Sequence, residues 1–209
     1  MSADTARRDI CGLLLAGGLS RRMGGGDKCL ALLGGRTLLQ RIVSVAQPQV
    51  GTMLLNSNSD PALFDGYGLP VVPDVVEGYA GPLAGVLTGL EWARDNAPGC
   101  RWLASFACDA PFAPADLVAR LLAAVDGTGA DMACAASGGR AHPVFALWPL
   151  RLAPELRRAV VEEDVRKVDV WTARYRLAQV EFANVPIDPF FNVNRPEDLA
   201  SAESLLGGV

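Results

Sequence analysis

The stretch from residue 13 to residue 28, LLLAGGLSRRMGGGDK, constrains this chain more than any other part of its sequence. Residues 10–16 are continuously apolar, which is typical of a strand buried on both faces of a parallel sheet. The glycines that follow lack a Cβ atom, so their backbone N–H groups can line a concave turn and approach a ligand closely. Arg21, Arg22 and Lys28 add positive charge beside that turn. The stretch therefore predicts a binding site for a polyanion, most simply a nucleoside triphosphate.

Two common phosphate-binding loops do not fit this stretch. A Walker loop ends in Gly-Lys-Ser/Thr, whereas this one ends in Asp27-Lys28-Cys29, and the fingerprint G-x-G-x-x-G is matched in no register. The stretch instead resembles the signature of the nucleotidyltransferases, in the form LAGGxSxRMGxxDK of the MobA-like molybdenum cofactor guanylyltransferases. The matching positions are Leu15, Ala16, Gly17, Gly18, Ser20, Arg22, Met23, Gly24, Asp27 and Lys28. A flexible glycine loop with solvated arginines is the plain alternative, and so many fixed positions argue against it.

Apolar runs and helical stripes alternate along the rest of the chain. Strands are predicted at residues 10–16, 50–55, 69–72, 102–108, 131–136, 143–148 and 179–183. Helices are predicted on the stripe at residues 38–46, from Pro82, from Pro114, across residues 150–176 and from Pro196. This alternation predicts an α/β fold, a single-domain, doubly wound and mostly parallel sheet flanked by helices in a Rossmann-like arrangement. One domain is expected over residues 1–209, with a flexible terminus at residues 1–9.

Composition narrows the classes of partner. A net charge of −4 over 209 residues implies no basic face for coating nucleic acid. No apolar run reaches the roughly 20 residues that cross a bilayer, so no membrane partner is expected. Five cysteines without a C-x-x-C pair and a single histidine, His142, argue against a zinc site and indicate reduced thiols in the cytoplasm. Cys29 lies beside the glycine loop, but no histidine is near it in sequence to activate it as a nucleophile.

Three further polar residues fall where a doubly wound sheet binds its ligand. Asn56, Asp74 and Asp109 each follow a predicted strand, and the ligand crevice of such sheets lies outside the carboxyl ends of the strands. Asn56 and Asp74 are also of types that commonly form turns, which is the alternative explanation for both. Their placement matches residues that contact the guanine nucleotide in the guanylyltransferases, so the resemblance implies nucleotide-binding roles.

Asp109 is the most informative carboxylate. A carboxylate beside a triphosphate is repelled unless Mg²⁺ bridges them, because this cation accepts carboxylate and phosphate oxygens together. From context alone, a helix N-cap or a turn explains the residue equally well. The resemblance favours the metal, since Cys-Asp-Ala-Pro at residues 108–111 matches the family's Cys-Asp-x-Pro signature, whose aspartate binds the metal. It implies a catalytic, nucleotide-binding and metal-binding Asp109, with Mg²⁺ as the cofactor.

Cations and glycines complete the expected nucleotide site. Lys28 and Arg22 are expected to act catalytically by holding phosphate oxygens, with Asp27 either fixing one of these cations or serving as a turn residue. The segment GPLAG at residues 81–85 also matches the family, and its Gly85 serves either close approach of the nucleotide or helix–sheet packing. The nucleotide-binding set that the resemblance implies is Leu15, Ala16, Gly17, Gly18, Lys28, Asn56, Asp74, Gly85 and Asp109.

A segment near the end of the chain, residues 191–199, is similar to the family's F-x-N-x-N-x-P-E-x-L pattern. Asn192 and Asn194 are two residues apart, so both amides face the same way on an extended segment. Together with Arg22, they are implied to bind molybdopterin through its polar edge or its phosphate. Capping of the helix that begins at Pro196 is an alternative role for Asn194. His142 also matches a family dipeptide, although a lone histidine before a strand is more often structural.

These matches run from residue 15 to residue 199 and cover nearly the whole chain. The resemblance therefore implies an enzyme that transfers GMP from GTP to the terminal phosphate of molybdopterin or Mo-molybdopterin and releases pyrophosphate. GTP and the pterin are the implied partners, with transient contacts to other cofactor biosynthesis proteins and to target molybdoenzymes. The alternatives are a nucleotidyltransferase that uses CTP or a sugar phosphate, and a non-catalytic escort that binds GTP or the cofactor.

Overall fold

The computed structural model describes residues 7–16, 27–78 and 81–207. The strands in these ranges are β1 (Ile10–Leu15), β2 (Leu32–Leu33), β3 (Arg36–Thr37), β4 (Thr52–Asn56), β5 (Val71–Val72), β6 (Trp102–Ala107), β7 (Met132–Ser137), β8 (Arg140–Pro149) and β9 (Leu177–Phe182). The helices are α1 (Leu38–Ala46), α2 (Pro82–Asn96), α3 (Leu117–Thr128), α4 (Ala153–Val161), α5 (Val168–Thr172) and α6 (Pro196–Gly207). None of the helices in the described ranges is both long and apolar enough to cross a membrane.

Seven of the described strands form one sheet in the order β5-β4-β1-β6-β8-β7-β9, and β2 and β3 form a separate antiparallel pair. The pairs β5–β4, β4–β1, β1–β6 and β7–β9 are parallel. Only β8, among the strands of the described sheet, runs antiparallel to its neighbours β6 and β7. The predicted mostly parallel α/β sheet is confirmed.

Helices cover both faces of this sheet, which explains the unbroken apolar run in β1. On one face, Ile10 and Leu14 pack in a buried cluster with residues of α1 and α3. On the other face, Cys11 and Leu13 pack with residues of α2, α4 and α5. Because successive side chains of a strand point to opposite faces, a strand between two helical layers is apolar at every position. The predicted doubly wound arrangement is confirmed in the described residues.

Among the differences from the predicted boundaries, three concern the helices or the candidate site. Helix α3 begins at Leu117 rather than at Pro114, whose carbonyl accepts the N–H of Leu117 at 3.3 Å. Strand β4 extends to Asn56, so this residue ends the strand rather than following it. The helical region predicted across residues 150–176 is divided into α4 and α5. Asp164, between these helices, has a φ of +53°, which is incompatible with a continuing α-helix.

Asp9, the last residue of the terminus expected to be flexible at residues 1–9, is hydrogen-bonded to the start of β6. The carbonyl of Asp9 accepts the N–H groups of Arg101 at 2.7 Å and Trp102 at 3.1 Å. Its carboxylate also pairs with the Arg101 guanidinium at 2.8 Å. These bonds tie the chain before β1 to the start of β6, and residues 1–6 lie outside the described residues.

The registers of the parallel strands align their carboxyl ends at one edge of the sheet. Val72 pairs with Asn56, Asn56 with Leu15, and Leu15 with Ala107, so that β5, β4, β1 and β6 end in one row. The loops that leave this row are therefore neighbours in space, although they are distant in sequence. In open α/β sheets this is the edge at which ligands bind.

Candidate active site

A lysine, an aspartate and an asparagine from distant parts of the chain meet at this edge. Lys28 Nζ donates to Asp109 Oδ2 at 2.5 Å and to Asn194 Oδ1 at 2.7 Å. The side chains of Lys28 and Asp109 are 19% and 20% exposed, so the pair is partly shielded but reachable by a ligand. The structure thus brings together two residues predicted to be catalytic and one predicted to bind the acceptor.

Strand β6 delivers Asp109 to the site. The N–H of Cys108 donates to the carbonyl of Leu15 at 3.2 Å, which continues the β1–β6 pairing beyond the end of β6. The carbonyl of Asp109 accepts the N–H of Val193 at 2.8 Å. The backbone of Asp109 is therefore held by β1 and by the segment before α6, while its carboxylate faces Lys28.

Val193 fixes the segment that carries Asn192 and Asn194. Its side chain is 0% exposed in an apolar cluster formed with residues of β2, α1 and α6. Asn192 and Asn194, on either side of it, are both exposed. This alternation agrees with the predicted common direction of the two amides.

Asp198, in the first turn of α6, holds the backbone that precedes the helix. Asp198 Oδ2 accepts the backbone N–H groups of Asn194 at 2.8 Å and Arg195 at 2.9 Å. The side chain of Asn194 accepts a hydrogen bond from Lys28 Nζ. That bond directs Asn194 to the candidate active site rather than to the N–H groups of the first turn of α6.

A second polar cluster lies at the ends of β4 and β5. Asn56 Nδ2 donates to Asp74 Oδ1 at 2.9 Å and to the carbonyl of Val72 at 3.2 Å. Asn58 Nδ2 donates to Asp74 Oδ2 at 2.8 Å, and the N–H of Asp74 donates to Asn58 Oδ1 at 2.7 Å. Asn56 is 3% exposed, so its amide is a fixed part of the sheet edge. Each carboxylate oxygen has two lone pairs, so Asp74 can still accept a donor from a ligand.

Gly85 lies where α2 passes closest to the strands. A Cβ atom at this position would lie 2.4 Å from Asn56 Oδ1 and 2.6 Å from Leu15 Cδ2. At these distances a neighbouring atom must shift, and Asn56 is buried and hydrogen-bonded, so the packing of α2 on β1 and β4 favours glycine here. Packing was one of the two explanations open from the sequence, and the role of Gly85 in binding a nucleotide stays a prediction.

The glycine loop is described only at its two ends. At the first end, Leu15 closes β1, and the N–H of Ala16 donates to the carbonyl of Asn56 at 3.0 Å. At the second end, Asp27 Oδ1 accepts a hydrogen bond from Ser59 Oγ at 2.7 Å. Three predicted site residues lie outside the described residues, namely Gly17, Gly18 and Arg22.

The bond from Ser59 corrects one expectation about Asp27. This carboxylate was expected to fix Lys28 or Arg22, or else to act as a turn residue. Lys28 directs its Nζ to Asp109 and Asn194, so the expectation that Asp27 fixes Lys28 is wrong. Asp27 instead joins the end of the glycine loop to the polar segment after β4.

Burial makes the two cysteines at the site poor nucleophiles. Burial, together with the nearby Asp27 carboxylate, raises the pKa of the Cys29 thiol to about 12. Burial also raises the pKa of Cys108 well above its ordinary value. At neutral pH both thiols keep their protons, and only a thiolate is strongly nucleophilic. This result agrees with the sequence analysis, which found no histidine near Cys29 in sequence to activate it as a nucleophile.

Several residues of this edge were missed in the sequence. Asn58 and Ser59 contact predicted site residues, and the polar run at residues 56–60 after a predicted strand is the signal that marks them. Ser137 and Asp188 were also missed, although Ser137 Oγ donates to Asp188 Oδ1 at 2.9 Å. No local pattern marks this pair, because its partners come from separate parts of the chain.

Comparison with known proteins identifies the family of the chain. A family model described as MobA-like NTP transferase domain matches residues 12–178. The molybdenum cofactor guanylyltransferase of Bradyrhizobium sp. (strain ORS 278) is 56% identical over 196 residues, which are 94% of this chain and 92% of that protein. The molybdenum cofactor guanylyltransferase of Rhodopseudomonas palustris (strain BisB5) is 54% identical over 193 residues, which are 92% of each chain.

Solved structures share the fold. Molybdopterin-guanine dinucleotide biosynthesis protein A from Archaeoglobus fulgidus gives a TM-score of 0.74 at 22% identity, covering 95% of this chain and 100% of that one. A Mycobacterium tuberculosis H37Rv protein crystallised in complex with manganese gives a TM-score of 0.64 at 17% identity, covering 94% of this chain and 98% of that one. At these identities the likeness establishes the fold, whereas the sequence matches establish the family. The chain belongs to the MobA-like NTP transferase family and is a nucleotidyltransferase.

Proposed function

We propose that this nucleotidyltransferase transfers GMP from GTP to the terminal phosphate of molybdopterin or Mo-molybdopterin. The reaction releases pyrophosphate and produces the guanine dinucleotide form of the molybdenum cofactor. The observation that carries the proposal is the meeting of Lys28, Asp109 and Asn194 at the sheet edge of a chain 56% identical to a molybdenum cofactor guanylyltransferase. These three residues offer a cation for phosphates, a carboxylate for a metal ion and an amide for the acceptor.

GTP is proposed to lie along the edge formed by β5, β4, β1 and β6. Its phosphates enter the glycine loop after Ala16, where backbone N–H groups and cations are concentrated. Asn56 and Asp74 contact the guanine nucleotide, and the Asp74 carboxylate is held in position for donor groups by two amides. The close packing at Gly85 brings the first turn of α2 to the same place. Backbone N–H groups at the start of a helix favour negatively charged groups.

The residues at this edge fit a divalent cation, which we propose to be Mg²⁺. Asp109 offers a partly exposed carboxylate, an oxygen ligand of the kind that Mg²⁺ prefers. The proposal assigns this cation one protein ligand among the described residues, the carboxylate of Asp109. This pattern suits a cation whose other ligands are phosphate oxygens and water. When bound, such an ion neutralises negative charge on the phosphates.

The transfer depends on positioning and charge neutralisation and needs no protein nucleophile. An oxygen of the acceptor phosphate forms a bond to the α-phosphorus of GTP. The bond from that phosphorus to the oxygen that bridges to the β-phosphate breaks, and pyrophosphate leaves with the electron pair. Lys28 and Arg22 neutralise the charge that grows on this leaving group. Arg22, Asn192 and Asn194 hold the acceptor.

Lys28 is proposed to change partners during this cycle. In the described structure it compensates the charge of Asp109, which is only 20% exposed and would be costly to leave unpaired. On GTP binding, Lys28 moves to the phosphates, and the carboxylate of Asp109 becomes available to a cation. The exchange keeps both side chains compensated before and after the nucleotide enters.

A pyrophosphate assay tests this function. Pure protein is incubated with Mg²⁺, molybdopterin and each of the four nucleoside triphosphates in turn, and pyrophosphate is measured. Of the four nucleoside triphosphates, we expect only GTP to give pyrophosphate, and only when molybdopterin is also present. Release with CTP, or with a sugar phosphate in place of the pterin, would assign a different transfer reaction. GTP binding without any release of pyrophosphate would contradict the proposal and indicate an escort protein.

We also propose that residues 1–209 form a single cytoplasmic domain. The single main sheet of the described residues, with helices on both faces, supports one domain. The five free cysteines suit a reducing compartment.

Transient contacts with other cofactor biosynthesis proteins and with target molybdoenzymes belong to the same proposal, because a finished cofactor has to be passed on.

A further inference from the structure

Three polar side chains form a hydrogen-bonded row beside the site, at the end of β7 and the start of β8. Ser137 Oγ donates to Asp188 Oδ1 at 2.9 Å and lies 2.8 Å from His142 Nε2. A hydroxyl has one proton, and here it is given to the carboxylate, so His142 Nε2 must be the donor to Ser137. The serine lies between the other two residues, so the order differs from that of a nucleophilic Ser-His-Asp triad.

Asp188 is the residue of this row that organises the following backbone. Its Oδ1 accepts the N–H of Phe190 at 3.0 Å, and its carbonyl accepts the N–H of Phe191 at 3.1 Å. These bonds define a turn at the start of residues 188–194, which we call the acceptor segment because it carries Asn192 and Asn194. Ser137, which is 3% exposed, anchors that turn to the end of β7.

The acceptor segment runs from this anchor directly to the candidate active site. Phe190 is 3% exposed and stacks on the His142 ring, with the ring centroids 4.6 Å apart. Val193 then donates its N–H to the carbonyl of Asp109, and Asn194 accepts from Lys28. One end of the segment is thus set by Ser137 and His142, and the other end by the residues proposed to perform the chemistry.

We propose that Ser137 and His142 are positioning residues for the acceptor substrate. They hold Asp188, Asp188 holds the turn, and the turn sets where Asn192 and Asn194 stand at the site. The inference rests on the proposed function only in naming the acceptor as molybdopterin. The predicted consequence is selective, because the row bonds directly to the acceptor segment, whereas Asp109 is held by the β1–β6 pairing as well as by that segment.

A simpler explanation is that the packing of Phe190 alone holds the segment. Its ring also lies 4.9 Å from that of Phe145 and 5.4 Å from that of Phe182, measured between centroids. If so, the bonds among Ser137, His142 and Asp188 only give partners to polar groups that are buried away from water, and they do not position the segment. The two explanations differ in what removal of the Ser137 hydroxyl does to the segment.

Ser137→Ala is the first test, with Ser105→Ala as its matched control. Ser105, on β6, is 1% exposed and also makes two hydrogen bonds, accepting from Trp148 Nε1 at 2.8 Å and donating to the carbonyl of Val144 at 2.7 Å. Both variants therefore lose a buried hydroxyl from the same sheet. Only Ser137→Ala removes a bond to the acceptor segment.

Two readouts are measured on the full chain. Amide hydrogen exchange of residues 188–194 needs no substrate, and we expect about tenfold faster exchange in Ser137→Ala than in Ser105→Ala. In the pyrophosphate assay, we expect Ser137→Ala to raise the KM for molybdopterin about tenfold, while the KM for GTP and kcat stay within about twofold of wild type. Amide hydrogen exchange tests the anchor even if the wild-type protein releases no pyrophosphate. A lack of pyrophosphate would refute the proposed function and leave the anchor to be judged by the exchange rates.

Substitutions of His142 and Asp188 complete the test. His142→Gln keeps a donor near the Nε2 position and is expected to keep exchange and KM near wild type. His142→Phe keeps the ring contact with Phe190 but loses the donor that orients the Ser137 hydroxyl, so its effect should lie between those of wild type and Ser137→Ala. If Ser137→Ala fails to fold, Asp188→Ala removes the same anchor from a half-buried turn. Equal exchange and equal KM in Ser137→Ala and Ser105→Ala would overturn the inference, as would faster exchange with no change in the KM for molybdopterin.

Discussion

The two halves of the sheet edge are built in different ways. In the nucleotide half, at β5, β4, β1 and β6, polar residues such as Asp74 and Asp109 follow parallel strands whose ends are aligned by their register. In the acceptor half, at β8, β7 and β9, the polar residues stand on a segment that returns after β9. That segment is held by the buried side chain of Val193 and by single bonds to distant residues, among them Ser137 to Asp188 and Lys28 to Asn194.

We therefore expect the two halves to differ in function: the nucleotide half supplies reactive groups, and the acceptor half positions a substrate. Residues of the nucleotide half are fixed by the sheet, so their substitution is expected to remove a charge or a ligand without moving the backbone. Residues of the acceptor half depend on a few hydrogen bonds, so their substitution is expected to change the affinity for one substrate. Lys28 belongs to both halves, because its Nζ contacts Asp109 and Asn194 together.

Asp109→Asn is expected to have the largest effect. The amide keeps the shape of the side chain but loses the charge that a divalent cation needs, so kcat should fall by about a thousandfold or more. Pyrophosphate release measures this loss, and circular dichroism checks that the fold is kept. Asp116→Asn is the matched control, since the Asp116 side chain is 62% exposed and its carboxylate pairs with Arg120 at 4.0 Å. Activity of Asp109→Asn within tenfold of wild type would contradict the assignment of the nucleotide half.

Lys28→Met tests the residue that joins the halves. Loss of the ammonium group removes charge compensation from the phosphates and from Asp109, so kcat/KM for GTP should fall about a hundredfold. The sequence contains a single other lysine, Lys167, which is exposed, so Lys167→Met is the matched control and should have no effect. If Lys28→Met changed only the KM for molybdopterin, and not kcat/KM for GTP, this lysine would belong to the acceptor half alone.

The same two lysines allow the proposed exchange of partners to be seen directly. Selective ¹³C labelling of the lysine Cε atoms gives one NMR signal for each lysine side chain and leaves the ammonium groups unmodified. GTP with Mg²⁺ should shift the Lys28 signal and leave the Lys167 signal in place. A Lys28 signal that stays at its starting position in saturating GTP would refute the exchange.

Gly85→Ala is expected to have a moderate effect on the nucleotide half. The added methyl group would overlap Asn56 Oδ1 and Leu15 Cδ2, so the free energy of unfolding should fall by about 1–3 kcal/mol and GTP binding should weaken. Gly127→Ala in α3 is the matched control, because nothing lies within 4 Å of a Cβ atom there. That control should be neutral or slightly stabilising, since alanine suits a helix better than glycine. Urea midpoints of the two variants measure the difference, and equal midpoints would show that α2 can shift freely on the strands.

The smallest expected effect is a pH dependence in the acceptor half. Burial lowers the pKa of His142, an effect that Asp188 and Glu181 oppose and Arg140 reinforces. Because the pKa in the folded protein is below the unfolded value of about 6.5, the unfolded chain binds more protons between these two values. Stability from this source is therefore complete above about pH 6.5 and is lost as the pH falls through that window.

His142→Gln checks this sign, because it removes the titrating group and keeps a donor. The unfolding free energy of wild type minus that of the variant should decrease slightly between about pH 7.5 and about pH 5.5, as measured by urea unfolding. An increase over the same range would mean that the folded protein stabilises the protonated ring.

The nucleotide half was largely predictable from the sequence, and the reason is geometric. Parallel strands end at one edge, so residues such as Asp74 and Asp109 can be placed there as soon as the strands are recognised. Lys28 follows from the motif that begins in β1. The partners of Lys28 could not be predicted, because Asp109 and Asn194 are distant from it in sequence. Asp27 was expected to fix Lys28 or Arg22 or to be a turn residue, and it accepts a hydrogen bond from Ser59.

The acceptor half was predictable only in part. Asn192 and Asn194 were recognised by their resemblance to a family pattern, and their alternation around Val193 could be anticipated from spacing. The anchor formed by Ser137 and Asp188 could not, because the two residues are 51 positions apart and neither stands in a local motif. Side-chain contacts between distant segments depend on the assembled fold, whereas strand ends depend mainly on local sequence.

A crystal structure of the full chain with GTP and Mn²⁺ tests the central claim most directly, because anomalous scattering locates the ion. We predict the ion on the carboxylate of Asp109, the guanine nucleotide beside Asn56 and Asp74, and Lys28 Nζ on phosphate oxygens. A nucleotide bound elsewhere, or an ion bound away from Asp109 with Lys28 still paired to that carboxylate, would contradict the claim.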